Sequence, residues 1–242
     1  MSREYPKIET VFNRDKDTFR VTDELRDSSF GQFKTWLVTE KIDGTNIRVS
    51  LEPELPSVDS GTVGSAWETV RRNGPWVVRF YARTDAGQIP PFLLEYLEAT
   101  FTLDRMEAVW RGDPPYSMVL YGEGYGERIQ KGGGNYRQGV SFRLFDVLVA
   151  DRSWLDWTNV VDVASRLGIP YVPCDGTQTL EQIVKMVKEG GPQSTVAYEE
   201  NRGKEIMAEG VVARSEPYLY DRHGRPLRFK LKNIDYRGKG ES

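Results

Sequence analysis

The chain has 242 residues, a net charge of −3 and a single cysteine, Cys174. A chain of this length buries roughly 70–75% of its unfolded surface and folds without staples, and one cysteine excludes an internal disulfide. The mild acidity argues against nucleic-acid binding through overall basicity, and no apolar run approaches the ~20 residues of a membrane-spanning helix.

The opening MSREYPKIE lacks the apolar core of a signal peptide, so a reducing, cytoplasmic setting and no membrane association are expected. Taken in order, residues 35–40 and 47–51 read as the two strands of a hairpin around the Asp43-Gly44 turn. Residues 52–74, rich in Pro, Ser and Gly, read as a loop, and 76–82 as a strand. Pro90 and Pro91 open a helix reaching about Arg105, with Phe92, Leu93, Tyr96, Leu97 and Phe101 on one face. A strand over 116–121 leads into GEGYG, and Gly132–Gly134 read as a flexible connection. A long apolar strand follows over 140–150. Residues 157–167 and 180–189 carry the period of amphipathic helices. Cys174 falls in a Pro-Cys-Asp-Gly turn with no histidine partner, so neither zinc nor thiol chemistry is signalled. Strands over 208–213 and 227–231 close the sheet. Mixed strands and helices of this kind predict an α+β domain built on antiparallel sheets. No linker divides the chain, so one domain over 1–242 is expected.

Chemistry concentrates at a few points. Lys41, in KIDGTN, ends an apolar run and is followed at once by a turn, so its amine is held on rigid backbone. An amine fixed this way serves as a covalent nucleophile once its pKa falls; the bland alternative is a solvated lysine beside a type I′ turn. Arg83, in YART, ends a strand within reach of a phosphate or ribose, or is an ordinary surface arginine. Glu123, in YGEGYG, is a carboxylate flanked by glycines that let a ligand approach. Phe145 and Asp146, in FRLFDVLV, fall on opposite faces of a buried strand, and Phe145 taken alone reads as core. Glu209, in EGVV, leads a strand where an unpaired charge is costly. The final stretch carries Arg222, Arg225, Arg228, Lys230, Lys232, Arg237 and Lys239 against Asp221, Asp235 and Glu241. Such runs are usually solvated, yet Leu227, Phe229 and Leu231 alternate with Arg228, Lys230 and Lys232, which places the three cations on one strand face. That row calls for an anion, and phosphate suits it. His223, the single histidine, sits in the polar turn DRHGR and reads as a loop residue.

Taken together, KIDGTN, YART, YGEG, FRLFD, EGVV and FKLK resemble, in content and order, the covalent nucleotidyltransferase superfamily of polynucleotide ligases and mRNA capping enzymes. Asn46 narrows the resemblance. DNA ligases and capping enzymes usually carry arginine there, whereas phage-type RNA ligases that seal nicked duplexes and kinetoplastid RNA-editing ligases carry asparagine. The opening YPKIETVFNRD and the segment YGEGYGERIQKGG resemble the same RNA ligases, and the match runs from about residue 5 to 232.

The resemblance implies an ATP-grasp-like ligase nucleotidyltransferase domain, α+β, of antiparallel sheets flanked by helices. Fuller members append a C-terminal or OB-fold domain, and a departure from them, with no appended OB-fold domain, is expected here. It implies that neutral Lys41 takes AMP from ATP, passes it to an RNA 5′-phosphate, and releases it when a 3′-hydroxyl seals the strand. Lys230 and Lys232 would neutralise the α-phosphate and, with a metal, lower the Lys41 pKa. Asp43 and Glu209 would hold Mg²⁺ (or Mn²⁺), partly through waters. Glu123 is expected at the ribose, Phe145 on the adenine, and Asp146 to be needed for activity. Arg83 and Asn46 are expected near the AMP phosphate, the ribose or the RNA end, and Glu40 near the adenine amine, mainly through its backbone. The implied partners are RNA ends of a nicked or splinted duplex. Only ten residues follow Lys232, so an accessory nucleic-acid-binding or end-healing partner fits; monomer is the default. The competing expectations are a minimal DNA ligase, a GTP-using capping enzyme, and an inert module that binds AMP or RNA ends.

Overall fold

The computed structural model describes residues 4–54, 75–110, 114–201 and 203–236. Most of the loop expected over 52–74, and the cations Arg237 and Lys239, lie outside the described residues. Among the described residues, no helix is long and apolar enough to cross a membrane. The chain forms two compact units, one of Met1–Tyr5, Thr45–Gly124 and Val140–Tyr171, the other of Pro6–Gly44, Tyr125–Gly139 and Val172–Ser242.

The first unit is built on a five-stranded sheet in the order β5-β4-β6-β7-β8. Its strands are β4 (Thr45–Pro53), β5 (Trp76–Ala82), β6 (Met118–Gly126), β7 (Val140–Val149) and the short β8 (Ser153–Trp154). β4 pairs antiparallel with both β5 and β6. Alternation along β4 turns Ile47, Val49 and Leu51 inward, all fully buried, as period-2 patterning requires. Helices α1 (Pro91–Thr100) and α3 (Trp157–Leu167) pack on β7, and α2 (Leu103–Glu107) on β4 and β5. The single helix expected through Arg105 is therefore two. Thr102 leaves helical geometry and its hydroxyl accepts from the Arg105 N–H, capping α2, a role that β-branched hydroxyl residues fill better than a helix interior. β6 begins two residues later than expected and runs on through GEGYG.

In the second unit, β9 (Cys174–Gln178), β3 (Trp36–Lys41), β10 (Gly210–Arg214) and β11 (Arg228–Lys232) form a sheet in the order β11-β10-β3-β9. A two-stranded sheet, β1 (Phe12–Arg14) with β2 (Val21–Leu25), precedes it. Trp36, Val38, Val211, Ala213, Phe229 and Leu231 form a core with Ile183 and Val187 of α4 (Leu180–Lys188). α4 opens with a capping box in which Thr179 and Gln182 bond reciprocally, which contributes about 1 kcal/mol.

Three expectations are corrected here. β3 and β4 are not hairpin partners: β3 pairs with β10 and β9, β4 with β5 and β6. The long-range strands satisfy the ladder groups of both, so Asp43-Gly44 is a passage between two sheets and not a type I′ turn. Cys174, Asp175 and Gly176 of the Pro-Cys-Asp-Gly stretch belong to β9, the edge partner of β3. Residues 132–134 are no loose connection, because Gly133–Asn135 form a 3-10 turn and a Cβ on Gly133 would lie 1.9 Å from the Gly126 carbonyl oxygen. The expectation of an α+β fold on antiparallel sheets holds.

Candidate active site

The second unit concentrates charge at the end of β3. Because Trp36 and Val38 point into the core, Lys41 points to the opposite face of the sheet, as do Lys230 and Lys232 opposite Phe229 and Leu231. The register sets Lys41, Gly210 and Lys232 side by side across three strands. Position 210 takes only glycine, since a Cβ there would lie 2.2 Å from the Leu231 carbonyl oxygen. Glu209, the preceding residue, donates its N–H to the Lys41 carbonyl at 3.2 Å. Its carboxylate bridges the two amines, Oε2 accepting from Lys41 Nζ and Oε1 from Lys232 Nζ. Asp235, fully buried, holds the Lys232 main chain at 2.8 Å and pairs with Arg14 at 2.5 Å.

The electrostatics follow from this crowding. Burial pushes the Glu209 carboxyl up, but the Lys41 and Lys232 cations outweigh it and hold it below its ordinary value. Lys230 is held below the usual lysine range by burial first and then by Lys232 and Lys41. Asp43 is raised by burial and then by the negative charge of Glu209. Among the described residues no cage of three or more carboxylate, histidine or cysteine ligands forms. Two mutually repelling carboxylates, Asp43 and Glu209, nevertheless suit Mg²⁺, which keeps several waters and takes one or two protein carboxylates.

The segment between Tyr125 and Gly139 grips the loop after Lys41. The Asp43 N–H donates to the Tyr136 hydroxyl at 3.3 Å, and Gln130 Nε2 donates to the Gly44 carbonyl at 3.1 Å. Burial pushes the Tyr136 phenol far above its ordinary range, so its proton stays in place. The sequence reading passed over both residues; the available signal was two polar side chains flanking a glycine run shortly after YGEG. Glu40 is tied to the start of a later helix and to the residue before β9. It is 5% exposed, and its carboxylate accepts from Ser194 Oγ at 2.5 Å and the Val196 N–H at 3.3 Å at the start of α5 (Thr195–Glu200), while its N–H donates to the Pro173 carbonyl.

The first unit aligns a second group. Asn46 and Glu123 stand directly opposite each other on β4 and β6, close enough for their side chains to meet. Asn46 Oδ1 is buried with no hydrogen-bond partner among the described residues. Arg83 is exposed one residue past the Ile47–Ala82 pair. Buried Arg48 secures that corner, donating to the Ala82 carbonyl and the Asp85 carboxylate, both at 2.7 Å. Phe145 is half-buried, its ring 5.1 Å from that of Tyr5. Asp146 is buried and accepts from the Tyr5 hydroxyl at 2.8 Å. His223 lies exposed in the turn that Asp221 caps, as expected of a loop residue.

The fold of antiparallel sheets is similar to that of several solved ligases. The archaeal ATP-dependent RNA ligase (form 2) is 16% identical with a TM-score of 0.55, over 97% of this chain and 49% of that one. A Naegleria gruberi RNA ligase variant, solved with ATP and Mn, is 17% identical with a TM-score of 0.54, over 96% and 62%. The putative ATP-dependent DNA ligase of Aquifex aeolicus is 18% identical with a TM-score of 0.52, over 94% and 50%. At these identities the likeness is one of fold, and this chain spans about half to two thirds of their length. No curated protein matches by sequence. A family model described as RNA ligase matches residues 34–232, and the chain belongs to that family.

Proposed function

We propose that the chain is the adenylyltransferase domain of an ATP-dependent RNA ligase, the two units acting as one domain over 1–242. The observation that carries this reading is the Lys41–Glu209–Lys232 bridge, with Lys230 beside it and Asp43 at the next turn of chain. Lys41 Nζ attacks the α-phosphorus of ATP; an N–P bond forms, the bond to pyrophosphate breaks, and Nζ gives up a proton. AMP then passes to the 5′-phosphate of an RNA strand, and a 3′-hydroxyl displaces it to close the phosphodiester.

The nucleophile must first be neutral. Lys230 and Lys232 disfavour the charged amine, whereas Glu209 favours it, so Lys41 is released for attack as Glu209 turns from it. Asp43 and Glu209 would hold Mg²⁺ or Mn²⁺, which supplies positive charge to the departing and transferring phosphates. Lys230 and Lys232 neutralise the α-phosphate. Glu123, Phe145, Asn46 and Arg83 take the ribose, adenine and phosphate roles that the family resemblance gives them. Asp146, through Tyr5, and Glu40, through α5, act as supports. RNA ends in a nicked or splinted duplex are the substrate. The likeness to the Aquifex DNA ligase keeps DNA ends as the second reading.

The test is covalent labelling. Protein with Mg²⁺ and α-labelled ATP acquires label, Lys41→Ala does not, and GTP does not substitute. An unlabelled wild type would leave a binding module, and label from GTP a capping enzyme. Nicked duplexes with RNA or DNA at the 3′-hydroxyl side then decide strand preference.

A further inference from the structure

Tyr136 is 3% exposed, and its hydroxyl oxygen is occupied by the Asp43 N–H. A phenol can both accept and donate, yet among the described residues nothing accepts the Tyr136 proton. A buried donor left unmet is costly, so the acceptor it faces in function matters. The nearby carboxylates are Glu40, Asp43 and Glu209. Glu40 is taken by Ser194 and Val196, and Glu209 by Lys41 and Lys232. Asp43, whose main chain Tyr136 already holds, has no hydrogen bond from the phenol to its carboxylate. Glu209 in turn bridges the amines of Lys41 and Lys232, and Asp43 lies two residues past Lys41, so the phenol stands at the edge of the cationic cluster that is to take a phosphate.

We propose that Tyr136 is a phosphate-binding residue of the adenylylation site: its O–H donates to a nonbridging oxygen on the α-phosphorus of the nucleotide, while its oxygen fixes the loop after Lys41 through the Asp43 N–H. The inference rests on the ligase reading and adds a group to it. A phosphate oxygen could also come from the RNA 5′-end, so the two half-reactions are measured separately.

The probe is Tyr136→Phe, which keeps the ring and deletes the hydroxyl, with Gln130→Ala as a control that loosens the same loop from the Gly44 side. Single-turnover adenylylation of Lys41 is measured with ATP and with the two diastereomers of ATPαS, using Mn²⁺ to soften the metal's own preference against sulfur. A hydrogen bond to a charged oxygen predicts a loss of about ten- to a hundredfold for Tyr136→Phe, together with a several-fold change in the diastereomer ratio. Gln130→Ala slows the step and leaves the ratio alone. The ratio is taken within the folded fraction, so partial misfolding does not move it. A Tyr136→Phe chain that is slow with an unchanged ratio overturns the α-phosphate contact, as does one at the wild-type rate. A defect confined to AMP transfer from preformed adduct to 5′-phosphorylated RNA also overturns it, placing the proton on the RNA end. Wild-type protein without label overturns the ligase reading itself, before Tyr136 is reached.

Discussion

Glu209 stands between two ammonium groups, and its acidity records the fact. Because its carboxyl is held below the ordinary value of 4.5, the ionised form contributes stability that is present above that pH and lost as pH falls through the depressed value. In Glu209→Gln, Lys41 and Lys232 are left facing each other without a counter-charge. The melting temperature of the variant should lie below that of wild type at pH 7, with the gap shrinking toward pH 3; a constant gap would contradict the bridge. Asp43 has the opposite sign. Its carboxyl is held above the ordinary value of 3.8, chiefly by burial, so the charged form opposes folding and the stability present below that pH is lost as pH rises through the raised value. Asp43→Asn should therefore raise the metal-free melting temperature at pH 7 while cutting Mg²⁺-dependent adenylylation at least about tenfold. Both carboxylates were legible in the sequence because the proposed chemistry demands acid residues near the lysine. Tyr136, Gln130 and Asp235 were not, since a hydroxyl, an amide and a buried acid acquire meaning only from the groups they touch.

At the scale of the strand, β11 divides labour between its faces. Phe229 lies in the core with Trp36 and Phe30, its ring centroid 4.9 Å and 5.3 Å from theirs, whereas Lys230 points the other way and is held below its usual pKa by burial. Phe229→Ala should cost about 3–5 kcal/mol in urea unfolding. Lys230→Ala should unfold no more easily than wild type, since it removes a half-buried cation, yet lose Lys41 labelling. Alternation in LRFKLK was plain in the sequence because a half-buried strand must repeat every two residues. β9, with the sequence CDGTQ, carries no such period, and neither do the short β1 and β2. Those segments are strands because a neighbouring edge supplies their hydrogen bonds, a cause that lies elsewhere in the chain. The break between α1 and α2 escaped the period for a related reason: Phe101 continues the apolar face, yet its backbone leaves helical geometry and Thr102 caps a new helix.

For the molecule as a whole, the chain changes unit repeatedly, and the second sheet depends on it. β3 comes from residues 36–41 and sits between β10 and β9, so residues 172–242 alone carry β9 without its partner and β10 without one of its two. That fragment should show no cooperative unfolding by circular dichroism, while the full chain does. A cooperative transition in the fragment would mean that β3 is dispensable to the sheet. The sequence by itself determined the family: lysine, carboxylates and paired lysines are spelled out as short strings, because the chemistry needs those residue types at spacings a few residues long. Only the tertiary structure decided that Lys41 ends a strand paired with Gly210–Arg214, that one carboxylate bridges two amines nearly two hundred residues apart, and that a tyrosine holds the loop after Lys41. Those facts are pairings between distant segments, set by which edges and charges remain to be satisfied once each strand has formed.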